Sequence, residues 1–184
     1  ATGFELTPVE NKQQYGNGRI PNVITSLQME RLLAPHGPYQ RVIRPSDGKE
    51  PDSISYVQCA GSRDQSLGAS YCSRVCCMYA IKEAVIAKEH AGGDLECTIF
   101  YMDMRTHGKD FERFYDNDRD KHGVRFIRSR VHTVNPVRDS DELEIQYVTE
   151  PGEMVKENFD MIVLSIGLQT APEVIALADR LGLD

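Results

Sequence analysis

Four of the chain's five cysteines fall within the stretch CAGSRDQSLGASYCSRVCC, at Cys59, Cys72, Cys76 and Cys77. What flanks this stretch limits the folds open to the chain. Residues 53–58, SISYVQ, are β-branched and aromatic and run as a strand straight into Cys59. Residues 71–90 carry Val75, Met78, Tyr79, Ala80, Ile81, Val85 and Ile86, the apolar face of a helix that Ala91-Gly92-Gly93 stops. Residues 96–103, ECTIFYMD, read as a second and mostly buried strand. Strand, loop, helix and strand in this order make a crossover unit of a parallel sheet. The cysteines occupy the turn where a dinucleotide-binding domain carries G-x-G-x-x-G, and here that turn reads C-A-G-S-R-D.

The rest of the chain continues the alternation. Residues 109–122 form a polar helix closed by Gly123, 124–131 a third strand, and 143–149 an alternating fourth reached through a turn at 139–142. Residues 160–166, DMIVLSI, are a near-continuous apolar strand ending at Gly167, and 172–181 a last helix with Pro172 in its first turn. The expectation is a three-layer, Rossmann-like α/β domain with a largely parallel sheet and its chemistry at the carboxyl ends of the strands. Ahead of it, residues 1–22 read as loop, 22–33 as a short helix capped by Thr25 or Ser26, and the proline-rich 34–52 as a linker. The expected division is a connector with an irregular N-terminal segment over 1–52 and a domain over 53–184. The opening ATGFEL lacks an initiator Met and reads like the end of a strand, so the expectation is a piece of a longer protein.

A net charge of −7 and a pI near 5.3 argue against a nucleic-acid partner. No apolar run approaches the roughly 20 residues a membrane span needs. With no signal peptide, a reducing cytoplasmic setting is expected, and dense cysteines there point to metal or redox chemistry before disulfides.

The spacing is C-x12-C-x3-C-C. Neighbouring side chains on a helix diverge by about 100°, which suits a cubane iron–sulfur cluster whose irons each take one thiolate. A single tetrahedral zinc is harder to reach from Cys76 and Cys77 together, yet would take the same four thiolates. Spacing alone leaves both open. Cys97, mid-strand, reads as a core or edge residue. Arg63 and Arg74 stand where a cation would raise the potential of an anionic cluster, or as ordinary surface arginines. Tyr71 and Tyr79 pack around the site. His107 and His122 lack ligand spacing, and Glu112, Asp116, Asp118 and Asp120 read as a solvated acidic helix face. No Ser-His-Asp order or carboxylate pair suggests hydrolysis.

The run YVQCAGSRD…YCSRVCCMYAIKEA closely resembles the flavoprotein A-type subunit of heterodisulfide reductase and its relatives in anaerobes. The resemblance implies a [4Fe–4S] cluster on Cys59, Cys72, Cys76 and Cys77, close to a FAD of the full-length protein. ATGF resembles the segment where the FAD domain of thioredoxin-reductase-like proteins leads into an inserted domain, and FDMIVLSIGLQ the strand by which that domain returns. Gly3 and Gly167 are thereby implied as cofactor contacts, and Lys82, five residues beyond Cys77, as a cation approaching the flavin. The implied partners are the other subunits of a heterodisulfide-reductase-like complex with ferredoxin, hydrogenase or formate-type donors. The family's upstream flavin-binding glycine motif, its downstream FAD-contacting segment and ferredoxin-type C-x2-C-x2-C repeats are missing. The implied object is an electron-transfer domain of an oxidoreductase, inactive by itself. Two other classes remain: a nicotinamide-binding reductase domain, weakened by the absent glycine fingerprint, and a zinc-stabilised scaffold.

Overall fold

The computed structural model describes residues 3–8 and 12–183, so Ala1 and Thr2 of the opening ATGF lie outside the described residues. In chain order the elements begin with β1 (Glu5–Leu6), β2 (Val23–Thr25), α1 (Ser26–Leu33), β3 (Ser53–Ala60) and α2 (Cys76–His90). There follow β4 (Glu96–Tyr101), α3 (Phe111–Lys121), β5 (Arg125–Arg128), β6 (Val134–Pro136) and β7 (Leu143–Val148). The chain ends with β8 (Met154–Phe159), β9 (Met161–Ile166), β10 (Leu168–Gln169) and α4 (Pro172–Leu181).

Five strands form the central sheet in the order β2-β9-β3-β4-β5, and every pairing in it is parallel. A parallel sheet covered on both faces needs apolar side chains on both, which is why β9 reads as an unbroken hydrophobic run and is buried throughout. Its residues divide by strand alternation: Met161 and Val163 join the core under α1 and α2, while Ile162 and Leu164 face the opposite layer. That opposite layer is the antiparallel sheet β6-β7-β8, which lays Tyr147 and Phe159 edge-on to Phe100 with ring centroids 4.9 and 6.0 Å apart. The three layers are therefore helices, parallel sheet and antiparallel sheet.

Several sequence expectations change. Residues 23–25 are a strand paired with β9, and the helix begins only after Thr25, whose side chain accepts from Gln28 N–H in a reciprocal capping box. The stretch read as a connector thus adds β2 and α1 to this sheet and its core, together with buried Tyr15 and Val42. Arg44 reaches Asp160 at 3.0 Å, and the same carboxylate accepts from the backbone N–H of Asp52 and Ser53. The second helix starts at Cys76 rather than at residue 71, leaving Cys72 in a loop. Asp118, placed on a solvated face by its acidic neighbours, is fully buried on α3.

Candidate functional site

The cysteine stretch leaves the sheet through a β-bulge. Val57 pairs with Leu164 and Ala60 with Ile166, so Gln58 and Cys59 together oppose one residue of β9. Cys59 takes φ +59°, a left-handed conformation uncommon for a residue with a Cβ. Of the six non-glycine residues with positive φ in the described chain, three are Cys59, Arg63 and Arg74. Such strain persists only where the surroundings hold it, and functional loops are where it gathers.

The surroundings here are hydrogen bonds. Asp64 and Ala69 exchange backbone bonds of 2.8 and 3.1 Å, pinching the loop around the short 3-10 turn Gln65–Leu67. From the other side, the chain between β9 and β10 clamps the loop. Gly167 N–H donates to the Ala60 carbonyl, Leu168 N–H to Ser73 Oγ at 2.8 Å, and Tyr71 OH to the Leu168 carbonyl at 3.0 Å. Gly167 must be glycine for this: a Cβ there would stand 2.7 Å from the Gly61 carbonyl oxygen and 2.8 Å from Ser62 Cβ. The Gly167 carbonyl in turn accepts from Thr7 N–H, which brings the N-terminal segment against the loop.

The four thiols share one neighbourhood. Cys59 and Cys72 are half-buried, Cys76 and Cys77 buried, and none is in a disulfide. Burial pushes the Cys59 thiol up, with Arg63 opposing and Cys72 adding to the rise. Burial raises Cys76 as well, against a hydrogen bond with Tyr79 and with a further rise from Cys59 and Cys72. Cys77 is pushed up to about 11 by burial, against a backbone hydrogen bond from Arg105, and Cys59, Cys76 and Cys72 all add to it. Each of these thiols therefore lies within electrostatic reach of the other cysteines. Cys76 Sγ is also 3.8 Å from the Ile166 carbonyl, which accepts from Tyr79 OH at 3.0 Å, and Arg74 N–H donates to Cys72 Sγ at 3.3 Å. Cys97 stands apart, buried under α2 with Sγ 3.8 Å from the Ala84 carbonyl and its thiol raised to about 12 by burial.

Among the described residues, no three His, Cys, Asp or Glu side chains converge on one point as ligands of a single ion would. A cluster spreads its thiolates over several irons and asks for a wider shell. The donor set has the chemistry such a group needs: four thiols within electrostatic reach of one another, with Arg63 beside Cys59 and Arg105 beside Cys72 to offset negative charge. Thiols held neutral by burial must lose their protons to ligate, so loading would release protons. Arg105 escaped sequence reasoning; its one signal is its place at the carboxyl end of β4, beside the first crossover.

Lys82 lies on the same helix, at the edge of a cavity of about 610 Å3 lined also by Arg74, Val75, Met78, His107 and Phe111. Glu83 follows it and points inward, with neither carboxylate oxygen hydrogen-bonded among the described residues. Gly3, at φ +55°, has open space where a Cβ would stand.

A thiol-rich loop on the carboxyl edge of a Rossmann-like parallel sheet defines the class of this domain. No protein-family model matches the chain. The A-type subunit of the H2/formate:CoB-CoM heterodisulfide,ferredoxin reductase of Methanococcus maripaludis is 42% identical over 186 residues, covering 100% of this chain and 28% of that protein. The iron-sulfur A-type subunit of the CoB–CoM heterodisulfide reductase of Methanocaldococcus jannaschii is 41% identical over 186 residues, again 100% of this chain and 28% of that protein. A third relative is the A-type subunit of the ferredoxin/F420H2-dependent CoB-CoM heterodisulfide reductase of Methanosarcina acetivorans, 38% identical over 184 residues and 23% of its length. Over its whole length the chain is similar to one segment of heterodisulfide reductase A-type subunits, and it spans about a quarter of the length of those relatives. Among solved structures, the thioredoxin reductases of Lactococcus lactis and T. acidophilum align at 12% identity with TM-scores of 0.48 and 0.47, over 94% and 90% of this chain and 43% and 42% of theirs.

Proposed function

We propose that the chain is the electron-transfer segment of a heterodisulfide-reductase-A-like flavoprotein, with one [4Fe–4S] cluster on Cys59, Cys72, Cys76 and Cys77. The observation that carries this reading is that one strand–loop–helix unit, bulged at Cys59 and clamped through Ser73 and Leu168, brings Cys59, Cys76 and Cys77 within electrostatic reach of one another and of Cys72. When bound, the cluster supplies one-electron transfer between FAD and the redox centres of partner subunits, ferredoxin and hydrogenase- or formate-type donors among them. The relatives' names, with reductase in both and iron-sulfur in one, support the assignment.

The chain's own residues set the environment. The bulge at Gln58–Cys59 and the left-handed turn at Arg74 set the backbone on either side of the thiols. Arg63 and Arg105 lower the energy of added negative charge there, which favours the reduced state. Tyr79 and the Ile166 carbonyl fix the Cys76 side of the shell. Lys82, at the edge of its cavity, would offset the charge of an anionic reduced flavin bound there, and Gly3 and Gly167 would lie on the segments that the family resemblance brings to that cofactor.

The test is anaerobic reconstitution with ferrous iron and sulfide, reading iron, acid-labile sulfide and the broad absorption of a thiolate-bound cluster. Wild type and Cys97→Ser should load about four irons and four sulfides per chain, as a cubane requires. Ser at any of the four proposed ligands should lower both. Cluster loss in Cys97→Ser with full loading in Cys72→Ser would refute the ligand set.

A further inference from the structure

Two carboxylates beside the cysteine loop are each shared by two cations. Asp64 is bonded by Lys12 and also lies 3.4 Å from Arg130. Asp103 is bonded by Arg63 and, at 2.7 Å, by Arg105. One carboxylate neutralises one cation, so each group of three keeps a positive charge. The Lys12 ammonium lowers Asp64 to about 2, so this carboxylate stays ionised at neutral pH and its single charge is fixed. Four positive charges to two negative thus stand beside the loop of a chain whose net charge is −7.

This surplus has a receptacle. A polar cleft of about 500 Å3 is lined by Arg63, Asp64, Gln65, Ser66, Ser70 and Arg130. Gln65, Ser66 and Ser70 are exposed and belong to the segment between Cys59 and Cys72, so the cleft opens on the cysteine loop itself. The Arg130 side chain is 50% exposed and only loosely paired, which leaves guanidinium donors directed at solvent.

We propose that this cleft and its basic rim are the docking surface for an acidic protein partner, one of whose carboxylates seats between Arg63 and Arg130. The proposal rests on the electron-transfer reading in one respect: a redox partner must approach the cysteines, and this is the basic approach to them. A nucleic acid fits less well. The basic area is confined to one cleft, whereas an extended polyanion would run on over a surface that is otherwise strongly acidic. Electrostatic surfaces of this kind raise association rates and weaken steeply with salt.

The probe is a strongly acidic two-cluster ferredoxin, titrated against the full 184-residue chain by biolayer interferometry at about 50 and about 300 mM salt. Wild type should bind at low salt and lose about tenfold or more in affinity at high salt. Arg130→Glu and Ser70→Glu should each weaken low-salt binding about tenfold, mainly through the association rate, while Arg130→Lys stays close to wild type. Arg41→Glu, near the amino ends of β3 and β4, should change nothing. Iron content is measured in parallel, so a failed cluster assignment appears as missing iron and a failed docking surface as unchanged affinity. Arg130→Glu binding like wild type, Arg41→Glu weakening equally, or an oligonucleotide outcompeting the ferredoxin would each overturn the proposal.

Discussion

Glu83 offers a sharp test of the packing between α1 and α2. It is 3% exposed, and neither carboxylate oxygen has a hydrogen-bond partner among the described residues. Burial, with a smaller rise from Glu30 and a smaller opposing effect from Lys82, lifts its pKa from 4.5 to about 9. The folded chain therefore keeps a proton that the unfolded chain releases near pH 4.5. The associated stability is fully present below that pH and drains away as pH rises toward 9. Each unit in this window is worth about 1.4 kcal/mol, so wild type should lose about 4 kcal/mol between pH 5.5 and 8.5 from this group alone. Glu83→Gln keeps the shape and removes the titration. Urea denaturation of both proteins, reduced and free of iron, at the two pH values gives the comparison directly. All other groups cancel in the difference, including the raised thiols and Asp118, which burial brings to about 6. If the wild-type and Glu83→Gln stabilities shift in parallel to within about 1 kcal/mol, the carboxylate is hydrated or paired, and its unpartnered burial is wrong.

Gly167→Ala should destabilise the chain by about 2 kcal/mol and reduce iron retention on reconstitution, because the added Cβ collides with the Gly61 backbone that carries the loop. Unchanged iron retention would separate the clamp from the cysteine site. NADH should bind no tighter than about 1 mM, since the turn after β3 lacks the glycines that let backbone approach a pyrophosphate. A low-micromolar dissociation constant in a fluorescence titration would restore the nicotinamide-binding reading.

The central strands and α4 could be read from local signals, since their apolar runs and terminal Pro172 and Gly182 carry their own boundaries. The misread start of α2 has a local cause that the residues do not display. Arg74 adopts φ +66°, which breaks the helix while the apolar spacing through Val75 continues across the break. The strand β2 is three residues long and exists because β9, far along the chain, pairs with it. Half of β8 is Lys156, Glu157 and Asn158, so its alternation shows only once β7 supplies a register. The cysteine shell was visible as spacing, yet its geometry depends on the bulge at Cys59 and the clamp from Gly167, both set by tertiary contacts. Glu83 and Asp118 sat among charged neighbours, and composition offers no means of telling a buried carboxylate from a solvated one.

The clamp also has a consequence for how the chain is made. Ser73 and Cys76 meet their partners Leu168 and Ile166 across 95 and 90 residues of sequence. At translation rates of roughly 5–20 residues per second, the cysteines precede the strand that closes over them by about 5–20 s. During that interval β3 has an unpaired edge and its thiols stand open to oxidants, alkylators and stray metals. A ribosome-stalled chain ending before Met161 should therefore be alkylated quickly at these cysteines, and one whose β9 and β10 have cleared the ribosome slowly. Equal rates would mean that the loop closes without β9. On the cluster proposal, iron delivery would belong after synthesis of β9, and only a chain whose four sulfurs had stayed reduced until then could load it.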